Sequence, residues 1–495
     1  MTDICDMTAT DLASGIAAGR ISAQEVMTAS LERIARLDGA VNAFSHLRPA
    51  DQLLEEACAA DAARAKGEAL GPLHGLPHAV KDLQAVAGLP FTRGSPIFRE
   101  SVAREDSLMV QRLRAAGAII IGKTNTPEFG LGSHTFNPVH GLTRNPYDPS
   151  RSAGGSSGGA AVALALRLAP SADGSDYGGS LRNPAGWNNV FGLRPSIGRV
   201  PSPERPDRHS WSPTMGVLGP MGRSVEDLGL LLSVIAGPDP RAPLCLSEDP
   251  SVFRSDLRAE VKGLRLGWLG DFGGAAPCDP EANSVCESGL AAFGDCGCTV
   301  EPVALDVDYE GPWRAFIALR AWQAGGALVE LYRDPTLRTQ LKPEAVYEVE
   351  MGLRLHAFDL DAAEAVREVW TRRIRNLFST FDALLAPTAQ TLPFEAAERW
   401  PSQIAGRAMT TYHEWMKGVC LISLTGCPSL AVPAGFSSGG LPMGLQIVTP
   451  HGAELRALRI ARAYAEAAPW TKMRRPDESR LARAPLQRGE NAAKP

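Results

Sequence analysis

The sequence lacks the features that mark membrane, secreted and nucleic-acid-binding proteins. Its most apolar run, AAVALALRLAP at 160–170, is about half the length of a membrane-spanning helix and contains Arg167. The first residues, MTDICDMTATDLASG, have no basic start and no apolar stretch, so we expect no signal peptide. A net charge of −5 over 495 residues gives no general attraction to nucleic acid or to a membrane surface.

The nine cysteines are scattered. Only Cys296 and Cys298 are close together, and no second pair or neighbouring histidine completes a metal-binding pattern. This distribution is typical of reduced thiols in a cytoplasmic protein. We therefore predict a cytoplasmic protein with no metal and no organic cofactor, which binds neither nucleic acid nor a membrane.

Helical and strand patterns alternate along the chain, which is 44% hydrophobic and 21% charged, an ordinary globular composition. Residues 8–37 are predicted to form two helices, the second opened by a capping box of Ser22 and Glu25. Apolar runs predict further helices at 107–118 and 160–170, and short strands at 78–83, 118–122, 192–200 (strand or loop) and twice within 427–448. The alternation indicates an α/β fold with a buried parallel or mixed sheet.

No internal repeat or long low-complexity linker divides the chain, so we predict one domain over residues 1–470. Its segments are a helical N-terminal part (1–65), a core segment (66–235), a following region (240–420) and C-terminal strands (421–470). The polar tail at 471–495 is predicted to be poorly ordered.

Residues 117–124, GAIIIGKT, match the phosphate-loop pattern letter for letter. In a phosphate loop, the four middle residues form a loop whose N–H groups surround a phosphate. Here they are Ala-Ile-Ile-Ile, a β-branched run that favours a strand. We therefore reject a phosphate site and interpret Lys123 as a residue at the end of a strand.

The segment AGGSSGG at 153–159 contains G-x-S-x-G twice, the pattern of the nucleophile elbow of α/β-hydrolases. That elbow needs a strand leading directly into the serine, but LTRNPYDPSRSA precedes it and is rich in proline and turn residues. A Ser–His–Asp triad also needs a histidine in a recognisable setting. None of the candidates (His209, His356, His413 and His451) has one.

Three features remain, and their spacing is informative: Ser156 follows Lys81 by 75 residues, and Ser180 follows Ser156 by 24. With these residues the chain resembles the amidase signature family. The resemblance is strongest over SAGGSSGGAAVALALRLAPSADGSDYGGSLRNPAGWNNVFGLRPSIGRV and extends to GLPHAVKDL, GKTNTPEFGLGSHTFNPVHGLTRNPYDPSRS, FDALLAPT, LTGCPSLAVPAG and MGLQIV. It is weakest over 240–380. It implies an α/β/α sandwich around a large mixed β-sheet.

The resemblance also implies a catalytic set and its roles. Ser180 is the nucleophile that forms an acyl-enzyme, and Ser156, in a cis peptide, passes the proton between Ser180 and Lys81. Lys81 must be neutral to accept that proton, which requires burial or a positive neighbour. Strand alternation directs Asp82 to the opposite face from Lys81. A surface ion pair between those two residues is the alternative that their local context alone leaves open.

The glycines beside Ser180 leave room for a developing oxyanion. The backbone N–H groups of Tyr177, Gly178, Gly179 and Ser180 are its predicted donors, and losing one such donor typically costs about 2.7–4 kcal/mol of barrier. The resemblance adds Gly130 and Ser133 to the oxyanion or substrate-binding set. We predict that Asp176, Arg182 and Ser157 support the loop, with an exposed ion pair as the alternative for Asp176 and Arg182.

Two departures from one branch of the family bear on the substrate. One branch of the family, the glutaminase component of tRNA-dependent amidotransferases, has an aspartate where this chain has Met416, next to Trp415. An arginine of that branch is also missing around Tyr347–Gly352. These departures favour a small, partly apolar amide, anilide or carbamate, with Trp415 and Met416 in the pocket wall or simply in the core.

Two alternatives stay open for the reaction. One is a glutaminase-type subunit of a tRNA-dependent amidotransferase, which works with a partner protein and tRNA. The other is an ester hydrolase, using the same nucleophile or a Ser–His–Asp triad. The sequence also leaves open whether the enzyme is a homodimer.

Overall fold

A computed structural model of the chain describes residues 3–203, 214–468, 470 and 474–481. Its helices in those ranges are α1 (Ala9–Ala17), α2 (Ala23–Val41), α3 (Ala50–Ala65), α4 (Leu108–Ala115), α5 (Gly158–Ala165), α6 (Arg182–Trp187), α7 (Val225–Ile235), α8 (Pro280–Gly289), α9 (Ala291–Asp295), α10 (Glu310–Arg320), α11 (Gly326–Arg333), α12 (Pro335–Arg338), α13 (Pro343–Leu353), α14 (Ala357–Leu377), α15 (Lys417–Leu424), α16 (Glu454–Ala467) and α17 (Glu478–Leu481).

The strands in the same ranges are short. They are β1 (Phe44–Leu47), β2 (Pro77–Lys81), β3 (Ile119–Thr124), β4 (Phe136–Asn137), β5 (Gly141–Leu142), β6 (Ser171–Asp176), β7 (Phe191–Arg194), β8 (Val217–Gly222), β9 (Arg265–Trp268), β10 (Thr299–Pro302), β11 (Ala383–Pro387), β12 (Gln403–Ile404), β13 (Arg407–Ala408), β14 (Ser429–Phe436) and β15 (Pro442–Val448).

One sheet of 11 strands runs through the molecule in the order β1-β3-β2-β6-β8-β7-β14-β15-β11-β9-β10. Strand β2 is parallel to β3 and β6, β9 is parallel to β10 and β11, and the other pairs are antiparallel. The predicted α/β fold with a large mixed sheet is therefore confirmed. All four predicted segments contribute strands to this sheet, and the division into a single domain stays a prediction.

Local sequence explains where several elements begin and end. Helix α2 opens with the predicted capping box, in which Ser22 accepts from the Glu25 N–H and Glu25 accepts from the Ser22 N–H. The β-branched run of GAIIIGKT forms β3, whose residues are all buried. The physical reason for rejecting a phosphate loop is thus confirmed.

Helix α5 corresponds to the most apolar run of the sequence and is buried on every side. It begins at Gly158, earlier than predicted, and ends before Arg167, whose φ of +58° breaks the helix. No strand leads into Ser156 in the described chain, because β5 ends at Leu142, so a nucleophile elbow is absent there. None of the helices in the described ranges has the length and apolar content needed to cross a bilayer.

The predicted tail lies partly in the described ranges. Residues 474–481 pack against the body of the protein: Leu481 is buried, and the Glu478 carboxylate accepts from Arg33 and Arg36. This part therefore differs from the poorly ordered tail that its polarity predicts, because ion pairs to α2 and one apolar anchor hold it. Residues 471–473 and 482–495 lie outside the described residues.

Candidate active site

The candidate site lies where two parallel neighbours, β2 and β6, end. Their register pairs His78 with Ser171 and Ala79 with Ala172, so both strands reach the same edge of the sheet. Lys81 is the last residue of β2, and Ser180 follows β6 in a short loop. The carboxyl ends of parallel strands are a common location for ligand sites in α/β proteins.

Lys81 is fully buried and is surrounded by serine hydroxyls. Its Nζ lies 2.7 Å from Ser156 Oγ, 2.9 Å from Ser157 Oγ and 3.0 Å from Ser175 Oγ. Ser175 was not predicted. Its contact with Lys81 depends on β2 and β6 being adjacent strands, which the sequence alone does not show.

Burial lowers the pKa of Lys81 to about 7, against the opposing influence of Asp173 and Asp176. A large fraction of the side chain is therefore neutral at neutral pH. Asp82 is turned away from Lys81, as alternation predicted, and its Oδ1 accepts from Lys123 Nζ at 2.9 Å. The alternative of a Lys81–Asp82 ion pair is thus excluded.

Ser156 is held by groups on both of its sides. The Gly155–Ser156 peptide bond is cis. The Ser133 hydroxyl donates to the Gly155 carbonyl at 2.7 Å. Gly130 has a φ of +72°, and a Cβ there would lie 2.7 Å from Leu83 Cδ1 and 3.5 Å from Ser156 Oγ. The predicted pair of Gly130 and Ser133 therefore packs around the 155–156 peptide.

The loop that carries Ser180 is bound to a buried carboxylate. Asp176 accepts from the N–H groups of Gly179 and Leu181 at 2.9 and 3.0 Å, and from Arg182 through two nitrogens at 3.0 Å each. Arg194, which was not predicted, adds a contact at 3.3 Å. Burial alone would raise the pKa of Asp176, but the two guanidinium groups lower it well below its usual range. The pair of Asp176 and Arg182 is thus a buried brace, and the alternative of an exposed ion pair is wrong.

These hydrogen bonds remove one of the predicted oxyanion donors. The Gly179 N–H is bonded to Asp176, so it is not available as the prediction requires. The N–H groups of Gly178 and Ser180 donate to no other residue in the described ranges. Gly179 itself has a φ of +102°, and a Cβ there would lie 2.6 Å from Val419. A side chain at this position would therefore distort the loop.

Ser180 is 8% exposed, and its hydroxyl makes no hydrogen bond to the described residues. Its carbonyl accepts from the Ser157 N–H at 3.2 Å, which ties the Ser180 loop to the start of α5. The neighbouring Tyr177 donates from its hydroxyl to Gln323 Oε1 at 2.7 Å, and the Arg320 guanidinium lies 5.0 Å from its ring centroid. The Tyr177 ring thus forms part of the wall of the adjoining cavity.

A cavity of about 560 Å³ opens beside these groups, with Ser156, Ser175 and Tyr177 in its lining. This volume is typical of a site for a small molecule. Its walls are mainly apolar and include Leu83, Phe91, Phe98, Phe129, Leu131, Leu218, Leu328 and Leu331.

Trp415 and Met416 do not line this cavity. Trp415 stacks on Trp187 with ring centroids 5.8 Å apart and meets the edge of Phe394 at 5.4 Å. Both residues are buried and border a separate space of about 10 Å³. Their placement is that of core residues, the alternative that the sequence left open.

The histidines do not form a triad with either serine in the described chain. His413 contacts Glu348 at 2.9 Å, and His451 contacts the Ile197 carbonyl at 3.0 Å. His356 caps α14, and His209 lies outside the described residues. Over the described ranges there is also no group of three or more His, Cys, Asp or Glu side chains placed to hold a metal ion.

Comparison with known proteins identifies the family of this chain. The family model described as Amidase matches residues 25–458. The chain therefore belongs to the amidase family, and it is an enzyme of that family.

Two relatives and one solved structure are similar to this chain over most of its length. The chain is 34% identical over 496 residues to one subunit of the glutamyl-tRNA(Gln) amidotransferase of Chloroflexus aurantiacus, covering 96% of this chain and 99% of the relative. It is 32% identical over 480 residues to an acylamidase of Rhodococcus erythropolis, covering 94% and 96%. A bacterial aryl acylamidase of the amidase signature family superposes with a TM-score of 0.85 at 28% identity, covering 98% of this chain and 99% of that structure.

Proposed function

We propose that the protein hydrolyses the C–N bond of a carboxamide through an acyl-enzyme formed on Ser180. The observation that carries the proposal is the 2.7 Å contact between Lys81 Nζ and Ser156 Oγ beside a cavity of small-molecule size. A pKa of about 7 gives Lys81 the basicity that a general base needs near neutral pH.

In the proposed first step, neutral Lys81 takes the proton of Ser156 while Ser156 takes the proton of Ser180. The Ser180 oxygen then attacks the carbonyl carbon, and the negative charge moves to the carbonyl oxygen. The N–H groups of Gly178 and Ser180 are the proposed donors to this oxyanion. Hydrogen bonds of this kind often tighten only when the substrate is bound, so the free Ser180 hydroxyl agrees with the scheme.

In the second step, the tetrahedral intermediate collapses and the C–N bond breaks. Ser156 gives a proton to the leaving nitrogen and recovers one from protonated Lys81. A water molecule then attacks the acyl group by the same route, which releases the acid and restores Ser180. Each proton transfer uses the pair Lys81–Ser156, and no metal or cofactor is needed in the scheme.

We further propose that the substrate is a small, partly apolar amide or anilide. The apolar walls of the cavity support this class. The acylamidase relative and the aryl acylamidase structure are named for substrates of this kind. Only small-molecule partners enter the proposal, and a homodimer is left open.

A glutaminase-type subunit is the second candidate, favoured by the amidotransferase relative at 34% identity. Against it, Met416 occupies the position of that branch's aspartate and is buried in the core. This candidate predicts that the protein hydrolyses glutamine, either as the isolated chain or only after a partner protein and tRNA are added. A standalone amidase of apolar amides would hydrolyse glutamine in neither case.

The test is a panel of aryl and aliphatic amides, with glutamine included, assayed for release of amine or ammonia. The Ser180→Ala variant is expected to lose turnover on every active substrate. Ser288→Ala removes an exposed hydroxyl on α8 and serves as the matched control. Undiminished turnover by Ser180→Ala contradicts the mechanism.

A further inference from the structure

Arg93 lies in the wall of the cavity that holds Ser156, and the proposed chemistry does not use it. Its carbonyl accepts from the Phe129 N–H at 2.8 Å. Phe129 precedes Gly130, where an added Cβ would lie 3.5 Å from Ser156 Oγ. This hydrogen bond holds the backbone of Arg93 against the turn Glu128–Gly130, which lies beside Ser156 of the proposed proton relay.

The Arg93 guanidinium is oriented by aromatic rings. Its Cζ lies 4.6 Å from the Phe91 centroid and 4.8 Å from the Phe98 centroid. In the described ranges, no carboxylate lies within 4 Å of this half-buried group, and it donates no hydrogen bond. Burial lowers the pKa of Arg93, and the charge of Asp82, which is itself bound to Lys123, offsets this only in part, so the half-buried guanidinium is suited to receive an anion.

The other charged side chains of the cavity are mostly neutralised within the protein. Arg320 is paired with Glu348 at 2.7 Å, and Asp106 is paired with Arg114 at 3.0 Å. Glu330 pairs with Arg333, and Glu105 is exposed. Among the described residues, the cavity therefore has mainly apolar walls, and its charges without an ion-pair partner are the half-buried Arg93 and the solvent-exposed Glu105.

The proposed proton relay indicates which half of the substrate reaches Arg93. Because Ser156 protonates the leaving nitrogen, the amine half of the amide lies on the side of Ser156. Ser156 and Ser175 line the cavity. The cavity is thus placed to receive the amine half.

We propose that Arg93 binds a carboxylate carried by the amine half of the substrate, so that the preferred substrates are acylated amino acids whose carboxylate and amide nitrogen are separated by an apolar aryl or alkyl spacer. This inference rests on the proposed function for the identity of the scissile bond. A planar guanidinium matches a carboxylate through two parallel hydrogen bonds, and the phenylalanine rings fit the spacer.

Equilibrium binding to the Ser180→Ala variant tests the inference without any turnover. The probes are 4-acetamidobenzoate and its neutral isostere 4-nitroacetanilide, measured by titration calorimetry. We expect the acid to bind about tenfold more tightly or better, as a charge-assisted hydrogen bond allows. In Ser180→Ala/Arg93→Met this preference should disappear, and Arg93→Lys in the same background should retain part of it.

Arg99→Met in the Ser180→Ala background is the matched control, because Arg99 is exposed and does not line the cavity. Equal affinity for the two probes, no binding of the acid, or a preference that survives Arg93→Met overturns the inference. Failure of the proposed function has a different signature: the acid binds selectively, but the unmodified enzyme hydrolyses no amide.

Discussion

The side-chain nitrogen of Lys81 lies 2.7 Å from the hydroxyl oxygen of Ser156, and both residues are buried. Its other two hydrogen-bond partners are also serine hydroxyls. No carboxylate in the described chain pairs with this lysine, because Asp82 is bound to Lys123. Burial, acting against the charges of Asp173 and Asp176, favours the neutral form of Lys81, which is the form that can accept a proton.

The first prediction concerns the pH dependence of activity. Lys81 must be unprotonated to act, and its pKa is lowered to about 7. We expect kcat/KM for an amide to fall about tenfold per pH unit below this value and to level off above it. Lys81→Arg keeps a positive charge at every accessible pH and should be inactive throughout. A pH profile that is flat across neutrality would show that another group is the base.

The same pKa predicts how stability depends on pH. Between about pH 7 and pH 10.5, the ordinary pKa of lysine, Lys81 binds a proton in the unfolded chain but not in the folded one. Stability from this group therefore rises with pH in that window, by up to about 1.4 kcal/mol per pH unit. Lys81→Met should reduce the slope of the free energy of unfolding against pH, measured by urea denaturation. Identical slopes for the two proteins would be inconsistent with a depressed pKa.

A comparison of two serines separates proton relay from lysine positioning. Ser156 and Ser175 both contact Lys81, at 2.7 and 3.0 Å. Ser156→Ala should lower kcat/KM by about 10²–10⁴, because it interrupts the proton path. Ser175→Ala removes only one hydrogen bond to the lysine and should cost about tenfold. Equal losses in the two variants would argue against a relay through Ser156.

The buried brace formed by Asp176, Arg182 and Arg194 predicts a loss of stability when its carboxylate is removed. Asp176 lies between Arg182 and Arg194, and all three are fully buried. Asp176→Asn leaves two buried guanidinium groups without their carboxylate, so it should cost about 3–5 kcal/mol in free energy of unfolding. The control is Asp256→Asn, which breaks an exposed pair with Arg258 and should leave the urea midpoint unchanged. Similar midpoints for both variants would mean that the brace contributes little.

Local patterns predicted those elements whose stability is decided locally. The capping box of α2 depends on residues three apart, and β3 depends on a β-branched run, so both could be predicted from the sequence. The candidate residues Lys81, Ser156 and Ser180 came from motif spacing together with the resemblance to the amidase signature family. Their approach in space depends on β2 and β6 being neighbours, which spacing alone does not determine.

The parts of the site that were missed depend on contacts between distant segments. Arg194 reaches Asp176 from β7, and the Gly179 N–H bonds to a carboxylate that could equally have faced solvent. Trp415 had two possible environments, and its stacking on Trp187 decides between them. Such contacts are set by the tertiary packing, which a single sequence does not display.

The most direct measurement of the central claim is to trap the acyl-enzyme. A chromogenic anilide that the enzyme hydrolyses is mixed with it, the reaction is quenched in acid, and the modified peptide is mapped by mass spectrometry. The account predicts an acyl group on Ser180, its loss in Ser180→Ala and slower formation in Ser156→Ala. Acylation of another residue, or unchanged turnover of the same anilide by Ser180→Ala, would contradict it.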